Sequence, residues 1–261
     1  MAGERFSYCL PVLREQGLVP DTELAIFVVG SMARGWAHAT SDLDIVVVSA
    51  KPLTDDRLFG QDIPLVPDSL GVVAFRHERR RWEVKFWLDT QVDQLFDKVS
   101  RAAFDGDRKV GDRLVPLEQL FLERLRTCVP LTGRDWVERR RAQLAGSAFD
   151  ALVITVALAE SDSQAEAAMG LLAAGDVHGA VVAVRDAFGY AVDAVLAAAG
   201  ESSPHRKWRP RRFREAAPTL LSFDEYWSIE TLRDYDPADP ERWVRAVFAT
   251  CKAIAADIEI R

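Results

Sequence analysis

The sequence predicts an α+β fold: a small mixed sheet flanked by helices in an N-terminal α/β domain, followed by a helical second half. Three observations predict it. Short apolar runs closed by turn residues fill the region up to residue 90, and from Thr90 the hydrophobic period lengthens to that of a helix. Between the two regimes lies the polar stretch 105–116, DGDRKVGDRLVP. Strands followed by helices in this order indicate two layers of organisation, expected as a domain at 1–110 and a helical domain at 111–261.

Leu24–Val29 (LAIFVV) is an apolar run closed by Gly30, the pattern of a buried strand, and Leu43–Ser49 (LDIVVVS) is a second. Gly71–His77 and Arg81–Asp89 are strand-like and separated by a charged turn. In the last of these, Trp82, Val84, Phe86 and Leu88 share one face, while Glu83, Lys85, Trp87 and Asp89 share the other. Such alternation predicts one buried face and one functional or solvated face. Thr90 is placed to cap a helix with Val92, Leu95, Phe96 and Val99 on one side. Helices are predicted over 116–128, 135–145, 148–174 and 176–199, the last stopped by Gly200. Asp239-Pro240 starts the final helix, with Asp as cap and Pro at the first helical position.

Composition excludes several classes. The 261 residues carry 33 basic and 40 acidic side chains, a net charge of −7 and 49% hydrophobic content, which is not the composition of a disordered chain. The most apolar stretch, Ala148–Ala159, is interrupted by Asp150 and falls short of the roughly 18 apolar residues of a membrane span. The start, MAGERFSYCLPVLRE, lacks the basic-then-apolar order of a signal peptide, so a cytoplasmic protein is expected. Cys9, Cys128 and Cys251 lie far apart, as do His38, His77, His178 and His205, which argues against a zinc site or a disulfide framework. The pattern carries no signal for an oligomeric state.

The chemistry is concentrated in Val28–Gly35 (VVGSMARG) and Ser41–Val48 (SDLDIVVV). Asp42 and Asp44 sit two apart and so point to one face of a strand. Two carboxylates held together repel unless cations lie between them, and hard oxygen ligands suit Mg²⁺. Gly30 lets a phosphate approach the backbone, and Ser31 adds its hydroxyl and N–H. The Gly30–Gly35 spacing also invites a P-loop reading, but Trp36-Ala37 stands where Lys and Ser/Thr are required. A phosphate cradle beside two metal-binding aspartates reads as a nucleotidyl-transfer site.

Gly30-Ser31, ten intervening residues and Asp42-x-Asp44 together resemble the nucleotidyltransferase superfamily of the DNA polymerase β type, and within it the antibiotic (aminoglycoside-type) nucleotidyltransferases. The resemblance covers residues 24–90. It implies a third carboxylate on a later strand, matched by Glu83 in Glu83-Val84-Lys85-Phe86, with two Mg²⁺ ions held by Asp42, Asp44 and Glu83. It further implies transfer of a nucleoside monophosphate from an NTP, ATP foremost, to an acceptor hydroxyl, with pyrophosphate released. Arg34 is then a phosphate contact from the turn. The run 205–214 (HRKWRPRRFR) is either a solvated charged face or a lid whose Lys207 meets the triphosphate. Asp186, on one helical face with Tyr190 and Asp193, is a candidate base or a contact for a cationic acceptor. The net acidic balance favours a small hydroxylated acceptor such as an aminosugar, with Asp176, Asp186 and Asp193 lining its pocket. The competing readings are modification of tRNA gripped by 205–214 and Arg79–Arg81, modification of a protein, and a non-catalytic nucleotide-binding module.

Overall fold

Two seven-residue apolar runs, β1 (Glu23–Val29) and β2 (Leu43–Ser49), pair antiparallel at the centre of the sheet, with Val29 opposite Asp44. The computed structural model describes residues 4–106 and 114–260. Four further strands, β3 (Phe59–Asp62), β4 (Ser69–His77), β5 (Arg80–Leu88) and β6 (Val129–Thr132), complete one sheet of order β3-β4-β5-β2-β1-β6 among the described residues. β2 and β5 run parallel, and the other neighbouring pairs are antiparallel, so the sheet is mixed as expected.

On one face, Ile26, Val28, Leu43, Ile45, Val47, Trp82, Val84 and Phe86 pack with Cys9, Val12 and Leu13 of α1 (Cys9–Glu15). The short α2 (Gly30–Ala33) contributes Met32 to that cluster. The other face is covered too. The Trp87 ring lies 4.3 Å from Phe121 of α5 (Pro116–Thr127), and Phe27 stacks 6.3 Å from Trp136 of α6 (Arg134–Ala145). α3 (Asp89–Lys98) follows β5 directly and α4 (Arg101–Gly106) follows it. Alternation along β5 identified the two faces correctly, but the face expected to be functional or solvated buries Lys85 and Trp87, because α5 returns to cover it.

Two local expectations change. Asp89 opens α3 instead of ending the strand, and its carboxylate accepts from Trp136 Nε1 (2.9 Å) and Arg140 Nη2 (2.7 Å). Gln91, not Thr90, caps this helix: its Oε1 accepts the Leu88 N–H at 3.0 Å.

The chain divides into two compact units, Met1–Ser147 and Ala148–Arg261. The boundary expected at 105–116 therefore lies inside the first unit, and its central residues 107–113 lie outside the described residues. The reason is β6, which pairs with β1, the Ile26 N–H donating to Thr132 Oγ1 at 3.0 Å. A four-residue strand containing Pro130 has no alternation to read, and an edge position tolerates its missing N–H.

The second unit is helical. α7 (Phe149–Ala173) and α8 (Val177–Ala198) pack through an alanine-rich core that includes Val244, Val247 and Ile254 of α11 (Pro240–Asp257). α9 (Arg209–Ala216) and α10 (Phe223–Glu230) add Phe213 and Tyr226, whose rings stack at 4.9 Å. The predicted helix ends hold: Gly200 has φ +83°, and Asp239 Oδ1 accepts the Arg242 N–H at 3.3 Å. No single helix among the described residues is long and apolar enough to cross a membrane.

The basic run is only partly a solvated face: Arg206, Lys207, Arg211 and Arg214 are exposed, while Arg209 and Arg212 are buried. Arg209 donates through Nε and Nη2 to the two Asp193 oxygens (2.8 and 2.6 Å), and Arg212 Nη2 reaches the same carboxylate at 3.4 Å. Their side chains are only 5% and 1% exposed. Asp193 is thus committed inside the unit, and Asp176 caps α8, its Oδ1 accepting the Gly179 N–H at 2.9 Å. Removing one partner of a buried charge cluster leaves the other uncompensated. Asp193→Ala is expected to lower stability by about 3–5 kcal/mol, read as a shifted urea midpoint, and Asp193→Asn by less. An Ala variant as stable as wild type would contradict this account of the run.

Candidate active site

β1 ends at Val29, and Gly30 turns the chain away with φ +70°, in the left-handed region that favours glycine. A Cβ at residue 30 would stand 2.6 Å from Asp44 Oδ2 and 3.5 Å from Arg124 Nη2. The position therefore excludes a side chain on two independent grounds. The turn is closed by Arg34 N–H donating to Gly30 O (3.1 Å) and Trp36 N–H donating to Ser31 O (2.8 Å). His38 N–H then donates to Ser41 Oγ at 2.9 Å, delivering the chain into β2 with Asp42 immediately before its first residue.

Leu43 and Ile45 point into the α1 side of the sheet, so Asp42 and Asp44 share the opposite face. The parallel register sets Glu83 beside Asp44 and Trp82 beside Leu43. Three carboxylates thus gather on one face of two adjacent strands, and each meets a cation. Arg81 stands 3.5 Å from both Asp42 Oδ2 and Glu83 Oε2, Lys85 Nζ donates to Glu83 Oε1, and Arg124 Nη2 lies 3.6 Å from Asp44 Oδ2. Burial pushes the Asp44 carboxyl above its ordinary range, Arg124 opposes that rise, and Glu83 reinforces it.

Gly30, Asp42, Asp44 and Glu83 are brought together, with Ser31 next along the turn. Arg34 turns elsewhere: its Nη2 donates to Glu123 Oε1 at 2.6 Å, and its guanidinium lies 4.5 Å from the centre of the Trp36 ring. Asp186 on α8 and Lys207 belong to the second unit, where Asp186 Oδ1 is 3.7 Å from Arg206 Nη1 and Lys207 Nζ is 5.5 Å from the Trp208 ring. The sequence reading missed Glu123 and Arg124, having assigned α5 to the helical half. A signal exists: two buried leucines, Leu122 and Leu125, bracket the charged pair.

The donor set suits a hard divalent cation, being carboxylate oxygen throughout. Among the described residues no three Asp, Glu, His or Cys side chains stand close enough to enclose one ion. Asp42 would turn to it from Arg81, whose half-exposed side chain a rotamer change releases, whereas Glu83 is held directly by the nearly buried Lys85.

Residues 12–141 match the family model of the nucleotidyltransferase domain, a span that includes β6 and most of α6. No curated protein matches the chain at a significant level. Among solved structures, a nucleotidyltransferase-like protein from Exiguobacterium sibiricum 255-15 is similar in fold, with 13% identity and a TM-score of 0.53 over 95% of this chain and 73% of that one.

The raised Asp44 pKa carries a stability consequence. The unfolded chain, with its carboxyl near 3.8, gives up the proton first as pH rises, so Asp44 disfavours the folded state increasingly from there through its raised folded value. Asp44→Asn is expected to be more stable than wild type near neutral pH, with the gain vanishing toward about pH 3. Urea unfolding across that range checks it; a variant less stable than wild type at neutral pH contradicts it.

Proposed function

We propose that the chain, whose residues 12–141 match the nucleotidyltransferase domain, moves a nucleoside monophosphate from an NTP, ATP foremost, to a hydroxyl of a small molecule. The observation that carries this reading is the convergence of Gly30, Asp44 and Glu83 at one end of the β1–β2–β5 core. Asp42, Asp44 and Glu83 would hold two Mg²⁺ ions, which supply Lewis-acid polarisation and neutralise triphosphate charge when bound.

The protein's own groups then have distinct tasks. The bare Gly30 backbone and the Ser31 N–H and hydroxyl receive the terminal phosphates, where no side chain obstructs them. The acceptor oxygen forms its bond to the α-phosphorus as the bond from that phosphorus to the bridging oxygen breaks, and pyrophosphate leaves with that electron pair. Glu83, beside Asp44 in register, takes the proton the acceptor hydroxyl loses. Alignment and fixed charge account for most of the acceleration, as in phosphoryl transfer generally.

The fate of the basic run supports a small acceptor over tRNA. Two of its arginines are buried on Asp193, and Arg81 divides its charge between Asp42 and Glu83. A net charge of −7 weakens non-specific attraction to a polyanion, although Arg206, Lys207, Arg211 and Arg214 stay exposed. An aminoglycoside-like, cationic sugar fits that balance.

Incubation with each of the four NTPs labelled at the α-phosphate, against an aminoglycoside panel and total tRNA, tests the assignment. Label on a small molecule is the expected result, and label on tRNA alone would overturn it. Asp42→Asn and Asp44→Asn are each expected to lower turnover at least about a thousandfold while the far-ultraviolet circular dichroism stays unchanged. Full turnover in both variants, with and without chelator, would end the metal-carboxylate mechanism.

A further inference from the structure

α5 delivers to the Gly30 turn a cation that no motif announces. The Arg124 side chain is 12% exposed, so its guanidinium has lost most of its water. Its ionic partner among the described residues is Asp44, and the 3.6 Å between them is longer than a hydrogen bond. A guanidinium offers five N–H donors, and a nearly buried charge with so little acceptance is costly.

Two other guanidiniums of this unit are closed on carboxylates. Arg34 is closed on Glu123 at 2.6 Å, and Arg140 holds Asp89 and Asp93 at 2.7 and 2.6 Å. Arg124 carries unused donors, and it carries them at one particular place. Its Nη2 lies 3.5 Å from where a Cβ on Gly30 would be, so the missing side chain opens on Asp44 and Arg124 together. A niche lined by one carboxylate and one guanidinium suits a ligand that presents a cation and an anionic oxygen side by side, as a magnesium polyphosphate does.

We propose that Arg124 is a nucleotide-binding residue, its guanidinium taking non-bridging oxygens of the NTP's β- or γ-phosphate above Gly30. The assignment rests on the nucleotidyl-transfer reading and adds to it the residue that fixes the triphosphate. A planar fork matches two phosphate oxygens at once, which a lysine at the same place cannot do.

Inorganic tripolyphosphate with Mg²⁺ is the probe, because it presents the phosphates without a base or a transferable group. Calorimetric titration of the full chain is expected to show tripolyphosphate binding weakened about 10–100-fold in Arg124→Gln, and by less in Arg124→Lys. The KM for NTP should rise by a similar factor, with kcat at saturating NTP changed less. If Arg124 only neutralises Asp44, the Gln variant binds tripolyphosphate within about twofold of wild type and its KM is unmoved, which overturns the inference alone. Wild type that binds neither tripolyphosphate nor any of the four NTPs overturns the inference and the nucleotidyl-transfer reading together. Should Arg124→Gln fail to fold by circular dichroism, the charge-retaining Lys variant carries the test: wild-type affinity and KM there would remove the fork argument and the proposal with it.

Discussion

The site depends on a carboxylate pressed against a backbone. Asp44 Oδ2 occupies the space that any side chain at residue 30 would fill, and Gly30 alone lets β1 end there with a left-handed turn. That close approach takes Asp44 out of water, which raises its pKa and creates the need for a nearby cation. Arg124 supplies one, and Arg124 sits on α5. The return of α5 and β6 to the sheet is thus part of the same electrostatic arrangement, and it is why the first unit extends to residue 147.

The charged pairs of this chain fall into two kinds. Asp89 with Trp136 and Arg140, Arg34 with Glu123, and Asp193 with Arg209 all close at 2.6–2.9 Å and hold one element to another. Around Asp42 and Asp44 the cations stand off at 3.5–3.6 Å, and Arg81 is half exposed. The exposed Arg81–Asp42 pair is of the kind that contributes about 0–1 kcal/mol, so exchanging it for a ligand costs little. Lys85 is the exception, bonded directly to Glu83 and nearly buried.

The parts legible in the sequence were those whose chemistry and periodicity are local. β1, β2 and β5 announce themselves by apolar runs or alternation, and Asp42, Asp44 and Glu83 follow from parity along two strands. Gly200 marks a helix end by its left-handed conformation, and Asp239 marks a helix start by its side-chain cap. What stayed hidden depends on which distant segment covers a surface. Nothing local says that the polar face of β5 lies under α5, or that Pro130 sits on a sheet edge. Arg209, Arg212 and Phe213 are spaced to share a helical face, yet a run of six cations reads as solvated unless the partner carboxylate on α8 is known.

Charge balance at the site constrains how a nucleotide would enter it. Asp42, Asp44 and Glu83 face Arg81, Lys85 and Arg124, so the three negative groups are matched before any ligand arrives. A bare polyphosphate would have to take those cations away and leave three carboxylates uncompensated, one of them largely buried. A polyphosphate accompanied by divalent cations avoids that penalty: the carboxylates exchange their side-chain partners for the metal, and the released guanidiniums turn to the phosphates. Nucleotide and metal would therefore bind with positive coupling, each lowering the electrostatic cost of the other.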